Sequence, residues 1–207
     1  MNKGRLYIVS GPSGSGKDTI LKEVFKKHPE IAFSISSISR PMRAGEVEGE
    51  KYHFISKEEF EKLIADDMLL EYNEFCGNYY GSPKAYVYEC IEAGNDIILE
   101  VDVNGAAKVR EAMPEAVSIF IMPPSYEELY NRLCGRKTET IEVINARMDV
   151  ALSEIRRANE YDYIVINDNL DEAIEDLLSI ILSARLTLNK QKNIIDEVLK
   201  NVESRNW

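Results

Sequence analysis

The feature that most constrains the fold is a glycine-rich segment near the N-terminus, Gly11-Pro12-Ser13-Gly14-Ser15-Gly16-Lys17. It follows an apolar strand pattern from Leu6 to Ser10 and precedes a helical pattern that begins at about Lys17. This is the GxxxxGK pattern of phosphate-binding loops, in which backbone N–H groups converge on phosphates and the lysine reaches the β- and γ-phosphates. The segment therefore predicts a nucleoside triphosphate site on a strand–loop–helix unit.

The chain beyond this loop alternates short apolar strands with helical patterns. We predict strands at Ile97 to Val101, Val117 to Met122 and Tyr163 to Ile166, and helices at Ser125 to about Cys134, Thr140 to about Ala158 and Asp171 to Leu186. Such alternation is typical of a mostly parallel sheet covered by helices. The fold class expected is α/β, a P-loop three-layer fold with a central, mostly parallel sheet flanked by helices.

Residues 34–84 break this alternation. They are rich in Ser, Gly and Tyr, and they contain one helical pattern, Ser56 through Ala65, with Ser56 and Glu59 placed as a capping box. Strand-like pieces lie on both sides of that helix. We therefore expect a small inserted lobe with β structure, within a single domain that spans residues 1–207.

Composition and charge exclude several classes of function. The net charge of −11 argues against general binding to nucleic acid, whose phosphates most of the surface would repel. No apolar run approaches the roughly 20 residues of a membrane span, and Met1 to Arg5 lead directly into a strand without a signal-peptide pattern. We expect a cytoplasmic protein with no membrane partner.

We expect structural roles for the cysteines, the histidines and the C-terminal segment. Cys76, Cys90 and Cys134 are odd in number and share no CxxC spacing, so we expect buried or partly buried free thiols. His28 and His53 have no ligand-like spacing. Residues 189–207 carry helically spaced apolar residues, which favours a terminal helix docked on the core or on a partner subunit over a membrane or regulatory role; a homo-oligomer is therefore possible.

A longer pattern within the predicted lobe is more specific than the phosphate loop. It runs through Ser34-Ile35-Ser36-Ser37-Ile38-Ser39-Arg40-Pro41-Met42-Arg43-Ala44-Gly45-Glu46, then Gly49, Tyr52, Phe54 and Glu71, then Gly77-Asn78-Tyr79-Tyr80-Gly81-Ser82. With Glu100-Val101-Asp102-Val103-Asn104-Gly105 and Ile166-Asn167-Asp168, it resembles the guanylate kinases over residues 5 to about 185. The resemblance implies transfer of the γ-phosphoryl group of ATP to GMP or dGMP.

The resemblance also implies roles for individual residues on the acceptor side. Arg40 and Arg43 match the arginines that hold the GMP phosphate, which suits their planar guanidinium groups, and Tyr52 and Tyr80 match the tyrosines that reach the same phosphate. The residues that would contact guanine are carboxylates and hydroxyls: Glu71, Asp102, Ser36 and Ser82. In this sequence Ile38-Ser39 stands where the family has Thr-Thr.

On the donor side, the resemblance implies that ATP contacts the loop residues Gly11, Pro12, Ser13, Gly14, Ser15, Gly16, Lys17, Asp18 and Thr19, together with Asn167. Arg132, Arg136 and Arg147 match arginines that, with Lys17, stabilise the transferring phosphoryl group; the alternative is exposed helix charges paired with nearby glutamates. The implied organisation is a core (1–33, 85–130 and 159–207), a GMP-binding lobe (34–84) and a helical lid (131–158).

ATP is expected to arrive with Mg²⁺, and two carboxylates are candidates to hold this metal through its water ligands. Asp18 occupies the position where this loop pattern usually has Ser or Thr, and it either binds the water shell of the metal or repels the phosphates. Glu100 follows an apolar strand and either lies near Mg²⁺ or helps to hold groups on the GMP side.

Two other functions remain open from the sequence. One is a small P-loop kinase with a different acceptor, such as another nucleotide or a phosphorylated sugar, which would be favoured if Glu71 and Asp102 did not face the acceptor base. The other is a non-catalytic module of the same fold that binds peptides or phosphopeptides. Loss of the glycine-rich loop or its lysine would indicate such a module, and both are present.

Overall fold

The computed structural model describes residues 3–135 and 140–203. The strands are β1 (Leu6–Ser10), β2 (Ala32–Phe33), β3 (Ser36–Ile38), β4 (Tyr52–Phe54), β5 (Leu69–Phe75), β6 (Asn78–Pro83), β7 (Ile97–Glu100), β8 (Val117–Met122) and β9 (Tyr163–Ile166). The helices are α1 (Lys17–Lys27), α2 (Lys57–Ala65), α3 (Lys84–Glu92), α4 (Val103–Ala112), α5 (Tyr126–Cys134), α6 (Ile141–Ile155), α7 (Leu170–Ala184) and α8 (Leu188–Glu203), with a 3₁₀ turn at Ala158–Glu160.

The central sheet has five strands in the order β2-β7-β1-β8-β9, and every pairing between neighbours is parallel. Its strands β1, β7 and β8 are buried because helices cover both faces, as their uninterrupted apolar sequences predict. One face packs against α1 and α7, and the other packs against α3 and α4. The predicted α/β class and the mostly parallel central sheet are confirmed.

A second sheet of four strands, in the order β4-β3-β6-β5, lies within residues 36–83. Strands β5 and β6 form a hairpin closed by Cys76 and Gly77, whose φ values of 49° and 73° match the turn that a twisted hairpin prefers. This turn exposes Cys76, so the expectation of a buried or partly buried thiol is wrong there; Cys90 is buried and Cys134 is partly buried.

The ends of several helices follow from their capping residues. Ser56 and Glu59 form the predicted capping box at α2, with both reciprocal hydrogen bonds present. At α5, Ser125 accepts from the Glu128 N–H, but the Glu128 carboxylate accepts from Arg132 instead of completing a box. Helix α6 ends at Ile155, three residues before the expected end, and the 3₁₀ turn follows it.

Four apolar side chains of the last helix, α8, are largely in contact with solvent. Ile194, Ile195, Val198 and Leu199 are all about half exposed. The helix therefore does not bury this stripe on the rest of the chain, and the alternative of a partner subunit stays a prediction. Across residues 3–135 and 140–203, no helix combines the length and the apolar character that a membrane span requires.

Candidate active site

The phosphate-binding loop joins β1 to α1 at the carboxyl edge of the central sheet, where open α/β sheets bind ligands. Gly16 precedes α1 with a φ of 89°, and a Cβ at this position would lie 2.2 Å from Asn167 Nδ2, so another residue would be strained and obstructed. Lys17 Nζ donates to the Gly11 carbonyl at 2.9 Å, across the mouth of the loop. The loop thus has the compact shape that a phosphate cradle needs.

Two side chains from other segments hold the back of this loop at Ser15. The buried Asn167, which follows β9, donates from Nδ2 to the Ser15 carbonyl at 2.7 Å. Arg132 on α5 donates to the Asn167 carbonyl at 2.9 Å and to the Ser15 carbonyl at 3.4 Å, while its Nε pairs with Glu128 at 2.7 Å. Arg132 therefore lies against the loop even though it also has the glutamate partner that the alternative interpretation expected.

Helix α6 supplies a second arginine to the same region. Arg147 donates to the Ser13 hydroxyl at 2.6 Å, so its guanidinium group lies at the front of the loop. The predicted third arginine, Arg136, lies outside the described residues. Backbone hydrogen bonds within the loop involve Thr19 and Pro12. The Thr19 N–H donates to the Gly16 carbonyl, and the Pro12 carbonyl accepts from the Ser15 N–H.

A cluster of cationic and aromatic side chains lies in the small sheet. Arg40 is buried at 8% exposure, with its guanidinium carbon 5.6 Å from the ring centres of Tyr52 and Phe54. It makes a two-pronged pair with Glu46 at 2.5 and 2.7 Å. Hydrogen bonding to Glu46 is the main reason that the pKa of Arg40 is raised, and Tyr80 contributes in the same direction. Arg40, Tyr52 and Tyr80 thus lie close together, and their role at the GMP phosphate stays a prediction.

The two carboxylates expected to contact guanine, Glu71 of the lobe and Asp102 of the core, also come together. The Ser82 hydroxyl donates to Glu71 at 2.7 Å, and Glu71 is buried. Asp102 caps α4 by accepting from the Gly105 N–H at 2.7 Å. A Cβ at Gly105 would lie 3.0 Å from Glu71 Oε2, so the glycine leaves room for this carboxylate.

Burial governs the charge of Glu71. Desolvation raises its pKa to about 7 and the negative charge of Asp102 adds to the effect, while the hydrogen bond from Ser82 acts in the opposite direction. A carboxyl group with this pKa changes its charge near neutral pH. Such perturbed groups occur often at functional sites, which supports a role for Glu71 beyond structure.

Asp18 and Glu100 are brought together through a residue that the sequence analysis did not select. Lys51 forms ion pairs with both carboxylates, and its Nζ lies 3.1 Å from Glu100 Oε2. Desolvation opposes the charge of Asp18 only in part, since its side chain is 72% exposed, and the hydrogen bond and charge of Lys51 outweigh it and lower the pKa of Asp18. Burial raises the pKa of Glu100 despite Lys51. Within the described parts of the chain, no group of three or more His, Cys, Asp or Glu residues is arranged to hold a metal.

Two of the predicted acceptor residues have weaker support from geometry. The Arg43 N–H donates to Glu46 at 2.7 Å, but its side chain is exposed. Ser36 begins β3 directly before Ser37, which pairs with Gly81, so the register brings Ser36 beside Ser82. The roles of both residues stay predictions.

Three residues with evident contacts were absent from the predicted site. Glu46 holds Arg40, Lys51 joins Asp18 to Glu100, and Glu154 on α6 places a buried oxygen near Ser13 and Lys17. Glu46 lies inside the pattern that carried the resemblance, so its spacing from Arg40 was a signal. Lys51 and Glu154 gave none, because their partners are distant in sequence.

Comparison with models of known protein families identifies the family of this chain. The family model described as guanylate kinase matches residues 3–184. The chain belongs to the guanylate kinase family.

Individual guanylate kinases agree with this assignment over nearly the full chain. The guanylate kinase of Desulfitobacterium hafniense is 43% identical over 197 residues, which cover 95% of this chain and 98% of that protein. That of Neisseria gonorrhoeae is 46% identical and covers 96% and 97%. The crystal structure of guanylate kinase from Anaplasma phagocytophilum superposes with a TM-score of 0.72 at 31% identity, covering 90% of this chain and 89% of that one. The kinase family and its nucleotide-binding fold are therefore established for this chain.

Proposed function

We propose that this protein is an ATP:GMP phosphotransferase, which transfers the γ-phosphoryl group of ATP to GMP or dGMP and so forms ADP and GDP or dGDP in purine nucleotide metabolism. The observation that carries the proposal is the pairing of two preformed sites. A buried Glu71–Ser82 pair of the small lobe lies beside Asp102 of the core, and Lys51 of the same lobe contacts Asp18 beside the phosphate loop. These contacts support a donor site and an acceptor site that would adjoin.

On the donor side, the loop backbone and Lys17 would hold the phosphates of ATP, aided by the N-terminal end of α1. Arg132 and Arg147 already lie against this loop, through Ser15 and Ser13. Their charges would offset the negative charge that spreads over the phosphoryl group during transfer, with Arg136 as a third predicted contributor. Asn167 fixes the loop through Ser15 and lies on the side where the adenine would bind.

On the acceptor side, carboxylates read the base. Glu71 and Asp102 would accept hydrogen bonds from the N1–H and amino group of guanine, with Ser36 and Ser82 near its edge. Adenine carries neither donor in this arrangement, so AMP would leave the buried carboxylate of Glu71 without the hydrogen bond that guanine supplies. Discrimination of roughly 10⁴-fold is expected from a site of this kind.

The acceptor phosphate would bind at the cluster of Arg40, Tyr52 and Tyr80, with Arg43 as a further contributor. Arg40 Nε is buried and has no hydrogen-bond partner among the described residues, so it is a donor that a phosphate oxygen would satisfy. The GMP phosphate is already an anion at neutral pH, and its oxygen needs no general base before it attacks. Closure of the predicted lid would exclude water and limit hydrolysis of ATP.

Mg²⁺ fits the residues present, since Asp18 and Glu100 offer carboxylate oxygens of the type that this metal prefers. The two carboxylates would hold it through its water ligands, together with the ATP phosphates. Bound Mg²⁺ supplies neutralisation of phosphate charge. Lys51, which pairs with both carboxylates, is a competing cation at the same place.

A coupled assay of ADP release tests this function, with ATP-Mg²⁺ as donor and GMP, AMP, CMP or UMP as acceptor. We expect turnover with GMP and dGMP alone. Turnover with another acceptor but not GMP would favour the alternative kinase. Tight GMP binding without turnover would favour a binding module. The proposed setting is the cytoplasm, with small nucleotides rather than nucleic acid or membranes as partners, and self-association is checked in the same preparation by light scattering.

A further inference from the structure

Lys51 connects three segments that are distant in sequence. It directly precedes β4 in the small lobe, whereas Asp18 lies in the first turn of α1 and Glu100 is the last residue of β7. Its ammonium group pairs with both carboxylates, and these are its ion-pair partners in the described part of the chain. A single lysine therefore joins the acceptor lobe to α1, which follows the phosphate loop, and to β7, which lies beside β1 in the central sheet.

The charges explain why a cation is needed at this point. Asp18 and Glu100 influence each other's ionisation, and the side chain of Glu100 is only 14% exposed. Two nearby carboxylates repel each other more strongly where water is partly excluded. Lys17 lies close enough to act on both groups electrostatically, but its Nζ donates to the Gly11 carbonyl. Lys51 is thus the cation that contacts both carboxylates directly.

We propose that Lys51 is a built-in counter-cation that competes with divalent metal for Asp18 and Glu100. The same carboxylate oxygens cannot fully bind both Lys51 and the metal ion that arrives with ATP. Metal binding at these carboxylates would therefore weaken the contact between the acceptor lobe and α1. The proposal rests on the proposed use of Mg²⁺-ATP as donor, and it makes Lys51 a positioning residue, because it acts through Asp18 and Glu100.

The test measures metal binding to the full chain without nucleotide, so it does not depend on activity. Mn²⁺ serves as the probe for the Mg²⁺ site, and its free concentration is followed by electron paramagnetic resonance. Lys51→Met removes the competing cation, Lys51→Arg retains it, and Lys84→Met removes a lysine that pairs with Asp67 elsewhere. Lys84→Met matches the change in net charge, and circular dichroism verifies that each variant is folded.

We expect Lys51→Met to bind Mn²⁺ about fivefold more tightly than the wild type, or better, since a direct positive neighbour is removed. Lys51→Arg and Lys84→Met should stay within about twofold of the wild type, because the first keeps the charge and the second changes a remote one. Adding Asp18→Asn to Lys51→Met should abolish the gain. Equal affinity of Lys51→Met and wild type, or a gain that persists without Asp18, would overturn the proposal.

A kinetic arm separates this proposal from the proposed function. At saturating ATP and GMP, Lys51→Met should reach half of its maximal rate at a lower free Mg²⁺ concentration than the wild type, whereas Lys84→Met should not. If no acceptor is phosphorylated by the wild type while the Mn²⁺ result holds, the proposed function fails and the competition stands. If GMP is phosphorylated but Mn²⁺ affinity is unchanged in Lys51→Met, the competition fails alone.

Discussion

The donor and acceptor sides of the site are constructed differently. Most of the donor side is one continuous piece of chain, residues 11–19, shaped by its glycines and by the start of α1. The acceptor side draws on Arg40, Glu71 and Asp102, which are 31 residues apart at each step. Arg40 follows β3 and Glu71 lies on β5 of the small sheet, whereas Asp102 caps α4 outside that sheet. A continuous motif carries much of its geometry in its own sequence, whereas a dispersed set depends on the fold of the whole lobe.

The largest effect is expected on the donor side. Lys17→Met removes the charge that would follow the transferring phosphoryl group, so kcat should fall about 10²–10³-fold. GMP affinity should be nearly unchanged, because Lys17 belongs to the donor half. Single-turnover kinetics and GMP titration measure the two quantities. Lys22→Met, which removes an exposed lysine from the same helix, is the control, and a parallel loss of GMP binding in Lys17→Met would contradict the separation of the two sides.

On the acceptor side, Arg40→Lys should raise the KM for GMP about 10–100-fold, since a lysine cannot form the two-pronged contact. The KM for ATP should change little. Arg43→Lys is the matched comparison, and the exposed position of Arg43 predicts a smaller rise. Steady-state kinetics with each substrate varied in turn measure these values; an equal rise for ATP and GMP in Arg40→Lys would mean that the variant disturbs both sites.

The acceptor side should also respond to pH through Glu71, whose pKa of about 7 is well above that of an exposed glutamate. Below this pKa the carboxyl holds a proton and loses acceptor capacity, so kcat/KM for GMP should fall about tenfold per pH unit. In the pH profile of Glu71→Gln, the titration of the GMP phosphate remains but the titration of Glu71 is absent. Profiles from pH 5.5 to 9 therefore isolate Glu71, and identical profiles for the two proteins would exclude its titration as the cause.

The same carboxyl affects stability with the opposite trend. Its folded-state pKa is raised, so the folded protein holds the proton more tightly than the unfolded chain does. Its contribution to stability is therefore fully present at low pH and is lost as pH rises through about 7. Glu71→Gln should raise Tm more at pH 8 than at pH 5.5, which differential scanning calorimetry measures. A larger rise at pH 5.5 would contradict the shift.

The smallest expected effect comes from Ser82, which donates to Glu71 and so favours its ionised form. Ser82→Ala should move the acidic midpoint of the GMP profile upward and lower kcat/KM a few-fold at pH 7, as the loss of one hydrogen bond predicts. Ser36→Ala should leave the midpoint in place, since Ser36 is brought beside Ser82 by the backbone register of β3 and β6. A shift of the same size in both variants would show that the lobe responds as a whole.

These differences also explain how much the sequence could predict. The strand Val117–Met122 and the start of α1 agree with their apolar periodicity, because local pattern and burial coincide there. The bounds of Tyr163–Ile166 also agree, although Val165 alone is buried in that strand. The four-stranded order of the small sheet could not be read locally, since β3 pairs with β4 and β6 across long loops. Lys51 was missed for the same reason, because its partners Asp18 and Glu100 are 33 and 49 positions away in the sequence.

The ratio of kcat/KM for GMP to that for AMP, measured in the wild type and in Glu71→Gln, tests the central proposal most directly. A buried carboxylate that reads guanine predicts a wild-type ratio of about 10⁴ or more, and a large fall in Glu71→Gln that comes from the loss of GMP turnover. A wild-type ratio within about tenfold of unity, or a ratio that Glu71→Gln leaves unchanged, would contradict the assignment of this acceptor site to guanine.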